Sequence, residues 1–251
     1  QAAASAGQVG LFDTPGEVSE IAPEYIDARP WNERQQLAEE KLAIGFFLSG
    51  HPFNSYKDEV RRFVRAPLSK LEPRKDPQML AGVVAATTVK MGNRGKMAFV
   101  TLDDGTAQHE VTVYAETLEA AKGKINADEV LIVEGKVSPD EFRGGLRIIA
   151  DRLMTLGEAR GRYARLLNLR INGEVGQAGG ARQAGERLRA LLSAYRGSRD
   201  EGGCAIRVHY RNGHAEGDIP LGEDWRVRLE DPLLEGLREW LSSEGVEVVY
   251  A

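Results

Sequence analysis

Apolar and polar positions along the chain change rhythm three times. Residues 1–10 are Ala, Ser, Gly and Gln with a single Val, and they offer nothing to bury. That stretch reads as disordered or as a linker. Leu11 and Phe12 then stand together ahead of the turn-prone run Asp13-Thr14-Pro15-Gly16. Pro30-Trp31-Asn32-Glu33 predicts a helix start, and Leu37, Lys41, Ile44 and Leu48 follow at near-helical spacing. His51-Pro52 breaks that pattern. Asn54 predicts the cap of a second helix whose apolar stripe is Tyr56, Val60, Phe63 and Val64.

From Met79 the rhythm becomes that of strands. Residues 80–91 are rich in Val, Ala and Thr and end at the turn signal Gly92-Asn93-Arg94-Gly95. Residues 97–102 and 110–114 read as two further strands, separated by Asp103-Asp104-Gly105-Thr106. Residues 115–125 have helical composition; 129–137 and 146–154 are two more strands around a polar loop at 139–145. Three strands, a helix and two strands within 79–154 is the order of an OB-fold, a five-stranded β-barrel that commonly binds single strands across its strand 2–3 face and flanking loops.

The remaining residues, 155–251, read as a small α/β C-terminal domain. Helices are expected at 156–165 and 182–195, the second with Leu188, Leu191, Leu192 and Tyr195 on one face. Strands are expected at 166–172, 204–210, 225–229 and 246–250. Asp231-Pro232 predicts a helix start with Asp231 as its cap, followed by the stripe Leu233, Leu234, Leu237, Trp240 and Leu241. The apolar terminal strand must pair with something, and completing this sheet is the simplest way. The fold class is therefore α+β and multidomain: a helical and loop segment over 1–78, the barrel over 79–154 and the α/β unit over 155–251.

Charge narrows the function. The 251 residues carry 33 Lys+Arg against 38 Asp+Glu, a net charge of -5. The three segments hold 10 against 12, 9 against 11 and 14 against 15, so none is a polycation. This excludes coating of nucleic acid by bulk charge and leaves room for a local basic groove. Such a groove has candidates. Lys90, Arg94 and Lys96 flank the first hairpin of the barrel, and Lys136, Arg143 and Arg147 lie near the loop before its fifth strand. Phe99 and Tyr114 either provide stacking platforms for bases or point into the core; alternation alone leaves both open. In the last segment every cation is Arg, scattered among nearly equal acid, which a coding bias explains better than a recognition surface does.

No catalytic constellation is visible. His51, His109, His209 and His214 with the lone Cys204 do not make a zinc site, and His51 has no nucleophile or carboxylate placed in sequence to pair with it. Asp103-Asp104 is explained by a tight turn without metal. No phosphate-binding glycine motif or nucleophile elbow is present. No apolar run reaches the roughly 18 residues that would cross a bilayer. A single cysteine fits a reducing, cytoplasmic setting. A first residue other than Met reads as a piece of a longer polypeptide.

Particular strings add a family resemblance. Gln8-Val9-Gly10-Leu11-Phe12 resembles the pentapeptide with which bacterial proteins bind the sliding clamp. With Pro30-Trp31, the run from Gly45 to Pro52, Met97 to Asp104, Val130 to Gly135, Gly144-Gly145-Leu146, Arg160 to Ala164 and Trp225-Arg226-Val227, the chain resembles the C-terminal region of the alpha subunit of bacterial DNA polymerase III, of the Gram-negative type. The resemblance implies clamp binding by Gln8, Leu11 and Phe12. It implies contact of the barrel with single-stranded template DNA, for which Lys90, Arg94, Lys96, Phe99, Arg143 and Arg147 are the candidate residues. It also implies binding of the clamp-loader tau subunit by the last domain. The nucleotidyl-transfer carboxylates of that family, and the Mg2+ they hold, lie upstream, so this portion would itself be non-catalytic and without a cofactor. The alternative is a free-standing single-stranded-DNA-binding or clamp-associated accessory protein. A hydrolase with an OB appendage lacks a nucleophile and a base.

Overall fold

The computed structural model describes residues 30–92, 95–141, 144–172, 180–212 and 215–250. Gln8, Leu11, Phe12, Arg94, Arg143 and His214 lie outside them.

Five strands close a barrel in the order β1-β2-β3-β5-β4: β1 (Gln78–Gly92), β2 (Gly95–Asp103), β3 (Gln108–Val113), β4 (Val130–Pro139) and β5 (Leu146–Thr155). The OB-fold expectation is met. Alternation builds the barrel's interior: Ala98, Val100 and Leu102 of β2 and Val111 and Val113 of β3 are fully buried. β1 pairs with β4 through its first half and with β2 through its second, so it must coil sharply between them. Gly82 makes this possible, because a Cβ there would sit 2.9 Å from the Asp103 backbone nitrogen. Closure comes from the short parallel pairing of β3 with β5 at Val111 and Ile148. The helix between β3 and β4, α3 (Ala115–Ala120), is shorter than the composition of 115–125 suggests.

The first half of β1 is buried on both faces. Leu80 and Val84 enter the barrel, whereas Ala81 and Val83 pack outward against Phe53, Val60, Val64, Met154 and Leu156. This second core anchors the helical segment to the barrel's outside. In α1 (Glu33–Ile44) only Leu37 is buried, and Leu48 is 72% exposed. Gly45, at φ +84°, ends the helix through its N–H to the Lys41 carbonyl and takes Leu48 out of the expected stripe. Asn54 caps no α-helix: it opens a 3-10 turn over Asn54–Tyr56 that leads into the short α2 (Lys57–Val60). Tyr56, Val60, Phe63 and Val64 do share the packed face.

The C-terminal sheet has the order β8-β7-β6-β9, from β6 (Ala164–Asn172), β7 (Ala205–Arg211), β8 (Glu216–Pro220) and β9 (Val246–Tyr250). Helices α4 (Leu156–Tyr163), α5 (Gly180–Ser193) and α6 (Asp231–Leu241) complete this part. The terminal strand β9 pairs antiparallel with β6 and completes the sheet. One expectation fails, and one strand was not foreseen. Residues 225–229 form no strand; Val227 makes only isolated bridges to Arg196 and Cys204. The edge strand β8 was not expected, because all five of its residues are exposed and carry no alternation.

Asp231 is not the cap of α6. Its carboxylate is taken by a buried cation, Arg160 of α4, which is 2% exposed. Arg160 donates to both Glu59 oxygens at 2.6 and 2.8 Å, to Asp231 Oδ1 at 2.6 Å and to the Leu229 carbonyl at 3.1 Å. Tyr56 donates to Asp231 at 3.3 Å, Tyr250 donates to Glu59, and Arg34 pairs with Asp231 and Glu235. Burial alone would raise the Glu59 and Asp231 carboxyls, but the Arg160 guanidinium holds both below their ordinary range. Burial and the neighbouring Asp231 push the Tyr56 phenol up to about 12. One arginine thus joins the helical segment before the barrel, the helix after it and the last helix of the chain.

Candidate nucleic-acid interface

The alternation that buries Ala98 and Val100 turns Met97, Phe99 and Thr101 outward, so the direction of Phe99 is settled: it faces away from the barrel core. Thr112 is opposite Phe99 on β3. Tyr114 follows β3 directly and is 38% exposed. On β5, Arg147 donates to the Tyr114 hydroxyl at 3.2 Å. The Lys90 ammonium of β1 lies 5.4 Å from the centre of the Phe99 ring. Phe99, Thr112, Tyr114 and Arg147 border an open groove of about 620 Å³ across β2, β3 and β5, whose walls also include Met97 and Leu146.

The candidate residues separate accordingly. Phe99, Tyr114 and Arg147 come together in one groove lining, and Lys90 stands beside it over the Phe99 ring. Lys96 does not: it pairs with Met91 across the β1–β2 hairpin, one position out of phase with Met97 and Phe99, and so stands on the hairpin's other face. Lys136 is exposed on β4, outside the groove lining. Glu110 and Asp140 also line the groove and were not foreseen. Glu110 was legible in principle, because it lies two residues before Thr112 on the same strand face. Asp140 reaches the groove only because the β4–β5 turn folds back, with Gly144 and Gly145 at φ +73° and +84°. The groove therefore has two aromatic rings, one cation and two carboxylates in its lining, with a second cation, Lys90, over the Phe99 ring. That charge distribution suits a strand whose bases enter and whose phosphates stay at the rim.

The described histidines have polar partners within the chain, and His51, for which the sequence offered no carboxylate, finds one in Asp103. His51 Nε2 is 3.2 Å from Asp103, the His51 ring lies against Gly105, and His109 meets the Leu68 carbonyl at 3.1 Å. His209 lies between Glu216 and Asp218 on the β7–β8 hairpin. Asp104 is buried and accepts from the backbone N–H groups of Leu68, Thr106 and Ala107 and from the Thr106 hydroxyl, as a turn carboxylate does. Burial pushes the Cys204 thiol up to about 11, which makes it a poor nucleophile. Among the described residues no group of three His, Cys, Asp or Glu could hold a metal ion, and no helix is long and apolar enough to cross a membrane.

Residues 79–156 match the family described as OB-fold nucleic acid binding domain. The barrel and this match define the class of this part of the chain: an OB-fold domain. Residues 187–241 match the family described as DNA polymerase III subunit alpha, C-terminal domain. The chain is homologous along nearly its whole length to part of that alpha subunit. It is 42% identical to DNA polymerase III subunit alpha of Neisseria meningitidis serogroup A over 99% of this chain, and 32% identical to that of Escherichia coli K12 over 97%. It spans 21% of the length of each of these relatives. Among solved structures, the second OB-fold domain of replication protein A from Methanococcus maripaludis is 20% identical, with a TM-score of 0.29, over 36% of this chain and 93% of that one.

Proposed function

We propose that this chain is the non-catalytic C-terminal portion of a bacterial replicative polymerase alpha subunit, and that its barrel holds single-stranded template DNA. The observation that carries this reading is the outward pair Phe99 and Tyr114 in one groove of an OB barrel, with Arg147 bonded to Tyr114 and Lys90 over the Phe99 ring. A base stacks on Phe99, and the two cations neutralise phosphates at the rim. Phe99→Ala then weakens binding of a labelled oligo-dT strand by about 1–3 kcal/mol, roughly 5- to 150-fold, in fluorescence anisotropy. Unchanged affinity refutes the groove assignment.

The rest of the reading follows the homology. Gln8, Leu11 and Phe12 would bind the sliding clamp, Leu11 and Phe12 filling an apolar cleft while the Gln8 amide bonds its rim. Residues 155–251 would bind the tau subunit of the clamp loader. Polymerisation and its Mg2+ would belong to the upstream part of the same polypeptide, in the bacterial cytoplasm. Leu11→Ala with Phe12→Ala should lower clamp affinity at least about tenfold in a pull-down or surface-resonance assay. Equal binding by the double variant would remove the clamp motif from this proposal.

A further inference from the structure

A second surface lies at the far end of β2 and β3, and it shares no residue with the groove described above. It is a slot of about 360 Å³ with Phe53, Val60, Val64, Pro67 and Ala81 in its floor. Lys57, Arg61 and Arg65 also border it: Lys57 opens α2, Arg61 follows in the turn that continues it, where Arg61 and Val64 donate to the Lys57 and Val60 carbonyls, and Arg65 lies in the irregular stretch beyond.

The carboxylates near this slot are committed elsewhere. Asp104 is buried under four donors, and Glu59 is clamped by Arg160. Asp58 is fully exposed and reaches Arg61 only at 3.7 Å. Lys57 and Arg65 make no ion pair among the described residues. A row of cations with little acid to balance it therefore overlooks an apolar floor, on a chain whose net charge is -5. The floor does not suit bases, because its one ring, Phe53, is only 5% exposed and offers no stacking face. The apolar surface left open is that of Ala66 and Pro67, over the nearly covered Val60, Val64 and Ala81, and it suits a small aliphatic side chain flanked by carboxylates.

We propose that the slot between residues 57–67 and β1 docks an acidic peptide segment of a partner protein, with one or two aliphatic side chains on the apolar floor and carboxylates on Lys57, Arg61 and Arg65. Cationic rim and apolar floor act together here, so neither charge nor hydrophobicity alone should suffice.

The test uses the whole 251-residue chain. The probe is a fluorescein-labelled decapeptide of Asp and Glu with two central Leu residues. Its controls are the same peptide with every acid replaced by Gln, and a dT dodecamer. The acidic peptide should bind, and the triple variant Lys57→Glu, Arg61→Glu, Arg65→Glu should weaken it by roughly tenfold or more. Ala66→Glu, which puts a like charge at the slot, should do the same, with thermal melting showing that both variants are folded. The proposal is overturned if the acidic peptide does not bind, or if the Gln peptide binds equally well. It is also overturned if charge reversal leaves the peptide unaffected and weakens the dodecamer, which would make this a nucleic-acid surface.

Discussion

Arg160 and Lys90 are both cations set among aromatic side chains, and their surroundings give them opposite work. Arg160 is buried, bonded to two carboxylates and a carbonyl, and linked through those carboxylates to the hydroxyls of Tyr56 and Tyr250. Lys90 is exposed, with the face of one ring 5.4 Å away. Around Arg160 the desolvation cost is met by partners already in place, so nothing is left to offer a ligand, and removing one partner strands the others. Around Lys90 little is committed, so the same charge adds almost nothing to folding and stays available to a phosphate. A cation holds the fold when its partners are inside the chain, and recognises a ligand when they are not.

The most direct way to break this contrast is Arg160→Met. It leaves the Glu59 and Asp231 carboxylates buried without their cation, and should cost about 3–5 kcal/mol in urea unfolding. A loss below about 1 kcal/mol would mean that the junction relaxes and that the clasp is incidental.

Acid should sharpen it. Glu59 and Asp231 are held below their ordinary values of 4.5 and 3.8. As pH falls the unfolded chain therefore takes up protons first. The clasp's contribution should be complete above about pH 5, should begin to fall as pH drops through those ordinary values, and should be lost only as pH falls on through the lower values of the folded state. Urea midpoints measured between pH 7 and 4 should fall for the native chain. They should fall less for Arg160→Met, in which the stranded carboxyls accept protons readily.

The smallest effect is expected at the exposed cation. Lys90→Ala should leave stability within about 0.5 kcal/mol. It should also flatten the salt dependence of oligo-dT binding, reducing the logarithmic slope by about 0.7, the share of one phosphate contact. An unchanged slope would place Lys90 off the strand's path.

Much of the barrel was legible because a strand's two faces alternate, and Val, Ile and Leu at every second position point to one interior. The strands expected at 97–102 and 146–154 are found as β2 (Gly95–Asp103) and β5 (Leu146–Thr155). Elements without alternation were not legible: β8 reads Glu-Gly-Asp-Ile-Pro and is a strand only because β7 supplies its hydrogen bonds. At the groove, the sequence named Lys90, Phe99 and Arg147 as candidates but left the direction of Phe99 open. The β1–β2 register puts Lys90 beside Met97 and Lys96 beside Met91, which separates two lysines that look equivalent in the sequence.

The sequence by itself determined what short-range periodicity can encode: five barrel strands, the apolar stripe of α6, and the strings that match part of a polymerase subunit. The tertiary structure alone decided which charges meet. Glu59 and Arg160 are 101 residues apart, and Arg160 and Asp231 are 71 apart. No local pattern links them, because a salt bridge requires only that two side chains share a dry site, wherever the chain has travelled between them. Asp231 therefore looked like a helix cap in sequence, and folding made it one arm of a clasp.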